Sequence, residues 1–131
     1  MSRILLVDDD RDYASIVKLR LQKEGYTVEY DSNPDDAIKR LSSDYAFDLI
    51  IMDVQMPEKN GLSGLVHMRG YFAKKRPGGF DIPVIIATGL QSEKLEEIFQ
   101  AEKISDYIRK PFETENLLNK IEAILTKQGK S

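Results

Sequence analysis

Residues 49–52 are four consecutive apolar residues, and a single carboxylate, Asp53, follows them. The run is too short for a helix but suits a strand that is buried on both faces, as strands are in parallel sheets. Pro57 and Gly61 interrupt the residues that follow, which indicates a loop. We therefore expect a strand ending at Asp53, with its carboxylate where open α/β sheets bind ligands. An Asp at such a position also commonly serves as a turn or capping residue.

A second stretch of the same shape lies near the N-terminus, where the apolar residues 4–7 are followed by Asp8, Asp9 and Asp10. Three adjacent carboxylates repel one another, and a cation is the usual means of neutralising them. Oxygen-only ligation with retained water is typical of Mg²⁺. Asp10 is also expected to cap a following helix, and in the alternative interpretation capping is the only role of all three residues.

The composition excludes several classes of protein. A length of 131 residues predicts one domain, here over residues 1–127, with a frayed tail over 128–131. A net charge of −3 gives no bulk attraction for nucleic acid or anionic membrane, and the absence of cysteine excludes disulfides and thiolate metal sites. The first apolar run is too short for a signal peptide or a membrane span, so cytoplasmic residence is expected.

The rest of the chain alternates between helical and extended patterns. Helices are predicted over 11–24, from Pro34 after an Asn33 cap, after Gly61, after a Ser92 cap, and over 114–127. The remaining strands are predicted over 26–30, 82–87 and 107–109. Ile16 is assigned to the apolar stripe of the first helix, and residues 71–81, with their basic run and glycines, are predicted to form a loop.

Five strands alternating with five helices predict a single doubly wound (βα)5 domain with a five-stranded parallel sheet. The carboxyl ends of parallel strands lie on one edge of the sheet. The polar residues that follow predicted strands, and so meet on that edge, are Asp8, Asp9, Asp53, Thr88 and Lys110.

This constellation favours phosphoryl transfer over acyl transfer. The one histidine, His67, lies within a predicted helix, and no pairing of a nucleophile with a base is visible. Carboxylates that hold a hard cation, together with an ammonium and a hydroxyl, supply the positive charge and donors that a transferred phosphoryl group needs. A carboxylate can itself be the nucleophile and form an aspartyl phosphate.

Five short motifs occur in a characteristic order: Asp8-Asp9, the segment DVQMPEKNG over 53–61, Thr88-Gly89, Tyr107, and Lys110-Pro111-Phe112. Together they resemble the receiver domain of two-component response regulators, the CheY-like family, over nearly the whole chain. The resemblance implies the flavodoxin-like strand order 2-1-3-4-5, as in flavodoxin and the chemotaxis receiver. The periodicity of the sequence does not by itself determine this order.

The resemblance also implies a mechanism. Asp53 would accept a phosphoryl group from a phosphohistidine on a sensor histidine kinase or a histidine phosphotransfer protein. Asp9 and Asp53 would ligate Mg²⁺ directly, Asp8 would act mostly through water, and Gln55 would add its backbone carbonyl, with Mn²⁺ able to substitute. The protein would be a signalling switch that catalyses its own phosphorylation and slow autodephosphorylation, not an enzyme acting on a separate substrate.

Further roles follow from the same resemblance. Lys110 would pair with the phosphorylated carboxylate, Thr88 would hydrogen-bond a phosphoryl oxygen, and Tyr107 would turn inward as Thr88 moves. The switched surface would be the face of the fourth helix, fifth strand and fifth helix, used for partner binding or for homodimer formation on phosphorylation. Gln55 and the apolar Leu90 would govern hydrolysis, with Leu90 slowing it. Neither direct nucleic acid binding nor membrane association is expected of the domain.

The chain also departs from the family pattern, and two alternatives remain. Residues 103–106 replace the usual Gly-Ala pair before the fifth strand, and Gly64 within the third helix is expected to cost about 1 kcal/mol relative to alanine. The alternatives are a haloacid dehalogenase-type phosphohydrolase using Asp8 and Asp10, and a pseudo-receiver that never carries phosphate. The sequence leaves open whether the chain acts alone or belongs to a longer regulator.

Overall fold

The computed structural model describes residues 2–54, 63–88, 104–110 and 112–127. The strands are β1 (Arg3–Val7), β2 (Thr27–Asp31), β3 (Leu49–Val54), β4 (Val84–Thr88) and β5 (Asp106–Arg109). The helices within these ranges are α1 (Arg11–Lys23), α2 (Pro34–Ser43), α3 (Ser63–Lys75) and α4 (Thr114–Lys127). The helix predicted after Ser92 and the tail over 128–131 lie outside the described residues, so both remain predictions.

The five strands form one sheet in the order β2-β1-β3-β4-β5, and every neighbouring pair is parallel. This confirms the predicted doubly wound architecture and the strand order that the resemblance implied. Parallel strands need crossover connections, and the helices between them cover both faces of the sheet. All five carboxyl ends therefore lie on the same edge, which we call the carboxyl edge; the opposite one is the amino edge.

Alternate strand residues serve two separate hydrophobic cores. One core joins sheet residues such as Leu5, Ile50 and Ile86 to α2 and α3. The other joins Ile4, Ile51 and other sheet residues to α1 and α4. Buried apolar residues on both faces of β1, β3 and β4 explain why these strands are continuous hydrophobic runs in the sequence.

Two helix starts form as predicted. The Asp10 side chain accepts a hydrogen bond from the Tyr13 backbone N–H at 3.0 Å and caps α1. Asn33 accepts from the Asp36 N–H at 2.8 Å and caps α2, with Pro34 as the first helical residue. Both caps supply acceptors for N–H groups that have no partner within the helix.

The loop predicted over 71–81 is wrong in its first half, because α3 continues to Lys75. Leu65, Met68 and Phe72 are all buried, and their spacing of three and four residues continues one helical face past Tyr71. Lys74 and Lys75, two of the three basic residues that indicated a loop, lie in the last turn, where positive charge stabilises a helix. The chain then turns through Gly78 and Gly79, both with positive φ, and β4 begins at Val84, two residues later than predicted.

Two further expectations need correction. Ile16 is 62% exposed and does not belong to the buried stripe of α1. Gly64 is not simply a cost to α3, since a Cβ at this position would lie 2.5 Å from Cγ of Pro34. The glycine permits the close approach of the first turns of α2 and α3. None of the helices in the described ranges has the length and apolar character to cross a bilayer.

Candidate functional site

The carboxyl edge of the sheet brings together the residues that the sequence analysis selected. Asp8 follows β1, Thr88 is the last residue of β4, and Lys110 follows β5. Asp53 is the next-to-last residue of β3, which ends one residue later than predicted. Val54 pairs with Thr88 in the strand register, so Asp53 and Thr88 lie one step apart on neighbouring strands.

Three carboxylates form a cluster that suits a metal ion. One oxygen each from Asp8, Asp9 and Asp53 lie within 4.8 Å of one another. The side chains of Asp8 and Asp53 are each only 3% exposed, whereas Asp9 is exposed and gives the cluster a side that faces solvent. Hard oxygen ligands with one open side fit Mg²⁺, which keeps several of its waters when it binds to proteins.

Lys110 bridges two of these carboxylates. Its Nζ lies 3.0 Å from Oδ1 of Asp53 and 3.2 Å from Oδ2 of Asp8. Its backbone N–H donates to the Thr88 carbonyl at 2.7 Å, which fixes the start of this segment against the end of β4. One ammonium therefore serves two largely buried anions, and among the described residues of the site the carboxylates outnumber the cations.

This imbalance shifts the pKa values of both partners. Burial, aided by the negative charges of Asp8 and Asp9, raises the pKa of Asp53 to about 6, although the hydrogen bond and charge of Lys110 oppose the shift. For Lys110, burial lowers the pKa, but the hydrogen bond to Asp53 and the charges of Asp53 and Asp8 outweigh it, and the net pKa is raised. A second cation at the site would relieve the repulsion that remains.

Asp8 is held by contacts on both its side chain and its backbone. Its Oδ1 accepts the Asp10 N–H at 2.9 Å, and its carbonyl accepts the hydroxyl of Tyr30 at 2.6 Å. Tyr30 lies in β2 opposite Leu6, two residues before Asp8. Sequence reasoning identified Tyr30 only as part of a strand. Its position near the carboxyl end of the strand beside β1 was the available signal.

Thr88 and Tyr107 occupy neighbouring strands near the same edge. Thr88 is fully buried. Tyr107 is half-buried, lies opposite Ile86 in the register and packs against the core shared with α2 and α3. The two residues are thus two register positions apart. Their coupling as a switch is not tested by this placement and stays a prediction.

Sequence reasoning also missed an aromatic contact to Lys110. The Nζ of Lys110 lies 4.5 Å from the centroid of the Tyr13 ring, and Tyr13 packs edge-to-face against Phe112 with centroids 5.7 Å apart. The sequence analysis places Tyr13 only within the helix predicted over 11–24. Its position in the first turn of α1, directly after the acidic segment, was the sequence signal that it lies near the site. Gln55 and Leu90 lie outside the described residues.

Comparison with known proteins identifies the family. A family model described as the response regulator receiver domain matches residues 4–122. The chain is a response regulator receiver domain. This confirms the resemblance that rested on the five motifs.

Individual relatives agree with this assignment. The receiver domain is 37% identical to the transcriptional regulatory protein CpxR of Escherichia coli over 126 residues, 95% of this chain and 50% of that protein. It is 33% identical to the response regulator ArlR of Staphylococcus aureus over 98% of this chain and 54% of that protein. It therefore spans about half the length of these curated relatives.

A solved structure shows the same fold. The crystal structure of a CheY-like receiver domain protein from Methanospirillum hungatei superposes with a TM-score of 0.80 at 29% identity, covering 98% of this chain and 97% of that one. The doubly wound parallel sheet is therefore shared with the CheY-like receivers.

Proposed function

We propose that Asp53 accepts a phosphoryl group from a phosphohistidine in a reaction that depends on Mg²⁺. The observation that carries the proposal is the Lys110 ammonium, 3.0 Å from Asp53 and 3.2 Å from Asp8, beside a three-carboxylate cluster. This combination gives one nucleophilic carboxylate, a fixed cation and a place for a second cation. Phosphoryl transfer depends mainly on such positioning and charge stabilisation.

In the proposed reaction an oxygen of Asp53 bonds to phosphorus while the bond from phosphorus to the histidine nitrogen breaks. The Lys110 ammonium compensates the negative charge of the phosphoryl oxygens, and the Thr88 hydroxyl donates a hydrogen bond to one of them. Bound Mg²⁺ supplies the further positive charge that lets an anionic carboxylate approach an anionic phosphoryl group. Mn²⁺, which accepts the same oxygen ligands, is expected to substitute.

The roles of the acids in metal binding are proposed to differ. Both oxygens of Asp8 already have partners, the Asp10 N–H and the Lys110 ammonium. Asp8 is therefore suited to contact the ion through water, which leaves direct ligation to Asp9 and Asp53. The backbone carbonyl of Gln55 completes the set that the family resemblance implies. Oxygen ligands and retained water together satisfy the octahedral preference of Mg²⁺.

Intact-mass measurement after treatment with acetyl phosphate and Mg²⁺ tests the proposal. The parent and the control Asp35→Asn, an exposed acid in the first turn of α2, should each gain one phosphoryl group. Asp53→Asn should gain none, because an amide is not a carboxylate nucleophile. An equal adduct on Asp53→Asn would refute the acceptor assignment. An unmodified parent would favour a pseudo-receiver, and turnover that requires Asp8 but not Asp53 would favour the phosphohydrolase.

We propose that phosphorylation, acting through Thr88 and Tyr107, changes the face formed by the helix predicted after Ser92, by β5 and by α4, which is the fifth of the predicted helices. An open depression of about 790 Å³ lies on this face, and Tyr107, Arg109, Phe112 and Lys120 are among its lining residues. A sensor histidine kinase or a histidine phosphotransfer protein would deliver the phosphoryl group, and a partner or a second receiver domain would read the changed face. Sedimentation with and without beryllofluoride, a phosphoryl mimic, measures the homodimer; an unchanged monomer would leave partner binding as the output.

The same proposal assigns no nucleic acid or membrane contact to this domain and places it in the cytoplasm. CpxR is named as a transcriptional regulator, but the receiver domain covers only 50% of its length. Fluorescence anisotropy with labelled duplex DNA is expected to show no binding by the receiver domain alone. Saturable binding at physiological salt would contradict this part of the proposal.

Gln55 and Leu90 are proposed to set the lifetime of the aspartyl phosphate. Hydrolysis needs a water in line with phosphorus, and the Leu90 side chain has no group that donates or accepts a hydrogen bond to hold one. The phosphate should therefore be lost slowly. Phosphoprotein decay that is no faster in Leu90→Glu than in the parent would exclude Leu90 as the protecting residue.

A further inference from the structure

Lys110 contacts an aromatic ring as well as its two carboxylate partners. Its Nζ lies 4.5 Å from the centroid of the Tyr13 ring. A cation within about 6 Å of a ring centroid is attracted by the electron density of the ring face. The ammonium is therefore held on one side by Asp53 and Asp8 and on another by an aromatic surface.

Tyr13 is itself held at its backbone and at its ring. Its backbone N–H donates to Oδ1 of Asp10 in the cap of α1, and its ring meets Phe112 edge-to-face at an interplanar angle of 79°. Both rings pack against the core shared by α1 and α4. Phe112, Tyr13 and Lys110 thus form a continuous set of contacts, which connects the first turn of α1 to the segment after β5.

We propose that Tyr13 is a positioning residue that holds the Lys110 ammonium over Asp53. A lysine side chain has four flexible methylenes, and that of Lys110 is 19% exposed, so part of it faces solvent. The ring face opposes rotation of the ammonium towards water. It also covers part of the charge, and in a less polar surrounding Lys110 interacts more strongly with an incoming phosphoryl group. This role rests on the proposed phosphoacceptor function.

An ordinary core role for Tyr13 makes a different prediction. If the ring only fills space, leucine and phenylalanine at position 13 should leave Lys110 equally well placed. If the ring face holds the ammonium, Tyr13→Phe should preserve the contact and Tyr13→Leu should remove it. Tyr26→Leu is a matched control, because Tyr26 packs against the same core but lies just before β2, at the amino edge.

The placement of Lys110 can be measured without any phosphorylation. Protons over an aromatic face are shifted upfield in NMR spectra, and an ammonium shielded from water exchanges its protons slowly. We expect an upfield-shifted Lys110 side-chain signal in the parent, Tyr13→Phe and Tyr26→Leu, assigned by its loss in Lys110→Arg. The signal should move to the position of an exposed lysine in Tyr13→Leu. An unchanged signal in Tyr13→Leu would overturn the proposal.

The rate of phosphorylation by acetyl phosphate tests the consequence. Tyr13→Leu should react about twofold to thirtyfold more slowly, the range that follows from the usual strength of a cation–π contact. Tyr13→Phe should recover most of the parent rate. A lost ring shift with an unaltered rate would overturn the positioning role. If the parent accepts no phosphoryl group, the proposed function fails, and the NMR comparison still decides whether Tyr13 places Lys110. Tyr13→Met replaces Tyr13→Leu should the latter not fold.

Discussion

The two edges of the sheet differ in how their charged side chains are paired. At the carboxyl edge, Asp8 and Asp53 share the single ammonium of Lys110, and the pKa of Asp53 is displaced upwards mainly by burial. At the amino edge, the guanidinium of Arg76 stacks 3.6 Å from the centroid of Tyr45 and pairs with Asp81. Arg76 and Asp81 thus pair one to one at the amino edge, whereas two carboxylates share one ammonium among the described residues of the carboxyl edge.

The amino edge is also supported by a dense set of contacts. The Tyr45 hydroxyl donates to Asp81 at 3.1 Å and accepts the Asp81 backbone N–H at 3.0 Å. Phe72 packs at a steep angle against Tyr45 and Tyr71 and more obliquely against Phe80, with centroid distances from 5.0 to 6.2 Å. We call these four rings the aromatic corner. The amino edge therefore supplies stability, while the carboxyl edge keeps an unfavourable charge arrangement that the proposed cation and phosphoryl group would relieve.

The largest effect should come from removing the centre of the aromatic corner. Phe72 is 3% exposed, and Phe72→Ala is expected to cost about 3–5 kcal/mol of unfolding free energy, from lost burial and from the cavity that remains. Denaturant unfolding followed by far-UV circular dichroism measures this loss. Phe80→Ala, which removes a half-buried ring of the same corner, serves as the smaller matched change.

The comparison also predicts where Phe72→Ala has no effect. Mg²⁺ affinity measured by calorimetry on the folded fraction should match that of the parent, because the corner lies at the edge opposite the acids. A large loss of affinity in folded Phe72→Ala would show that the two edges are not independent.

A change at the carboxyl edge should raise the unfolding free energy, which Phe72→Ala lowers. The folded pKa of Asp53, about 6, lies above the ordinary value near 3.9, so the folded state binds more protons between about pH 4 and pH 6. Ionised Asp53 therefore destabilises the fold increasingly as the pH rises through this window. Without Mg²⁺, Asp53→Asn should raise the unfolding free energy at pH 7 by about 1–2 kcal/mol, less than the full shift because solvent at the open side of the site screens the charge.

Measurements across pH and metal concentration sharpen this prediction. The gain in Asp53→Asn should disappear at pH 4 and shrink in saturating Mg²⁺, because the ion binds the parent more tightly than a variant that lacks the Asp53 carboxylate. Asp81→Asn is the control at the amino edge and should lower stability slightly, because its carboxylate accepts from Tyr45 and pairs with Arg76. If Asp53→Asn and Asp81→Asn changed the unfolding free energy at pH 7 in the same direction, the contrast between the edges would be contradicted.

The sequence predicts much of the carboxyl edge and little of the amino edge. Apolar runs followed by Asp8, Asp53 and Lys110 predicted the convergence of charges, because parallel strands place their carboxyl ends together. The cap residues Asp10 and Asn33 predicted where α1 and α2 begin. These signals are local, and the side chains concerned follow directly from the positions of strand and helix ends.

The unpredicted contacts depend on distances between remote segments. Tyr13 meets Lys110, and Tyr30 reaches the carbonyl of Asp8, only after α1, β2 and β5 have packed, so spacing along the chain does not indicate them. The extension of α3 was missed for a different reason. The basic residues near its end are also typical of a loop, and they predicted one here. Phe72 nevertheless continues the buried face of the helix by one more turn.

The smallest and most selective test uses α3, because this helix runs from the carboxyl edge to the amino edge. A Cβ at position 64 would lie 2.5 Å from the rigid ring of Pro34, whereas a Cβ at position 70 would meet nothing within 4 Å. Alanine is favoured over glycine in a helix by about 1 kcal/mol, and forced overpacking typically costs about 1–3 kcal/mol. Gly64→Ala should therefore lower the midpoint of denaturant unfolding slightly, and Gly70→Ala should raise it.

Because Gly64 and Pro34 lie in helix turns that face the carboxyl edge, Gly64→Ala should also alter Mg²⁺ affinity, while Gly70→Ala should not. A stabilised Gly64→Ala would mean that α2 and α3 separate without cost, and that the packing beside the site is softer than the contact with Pro34 indicates.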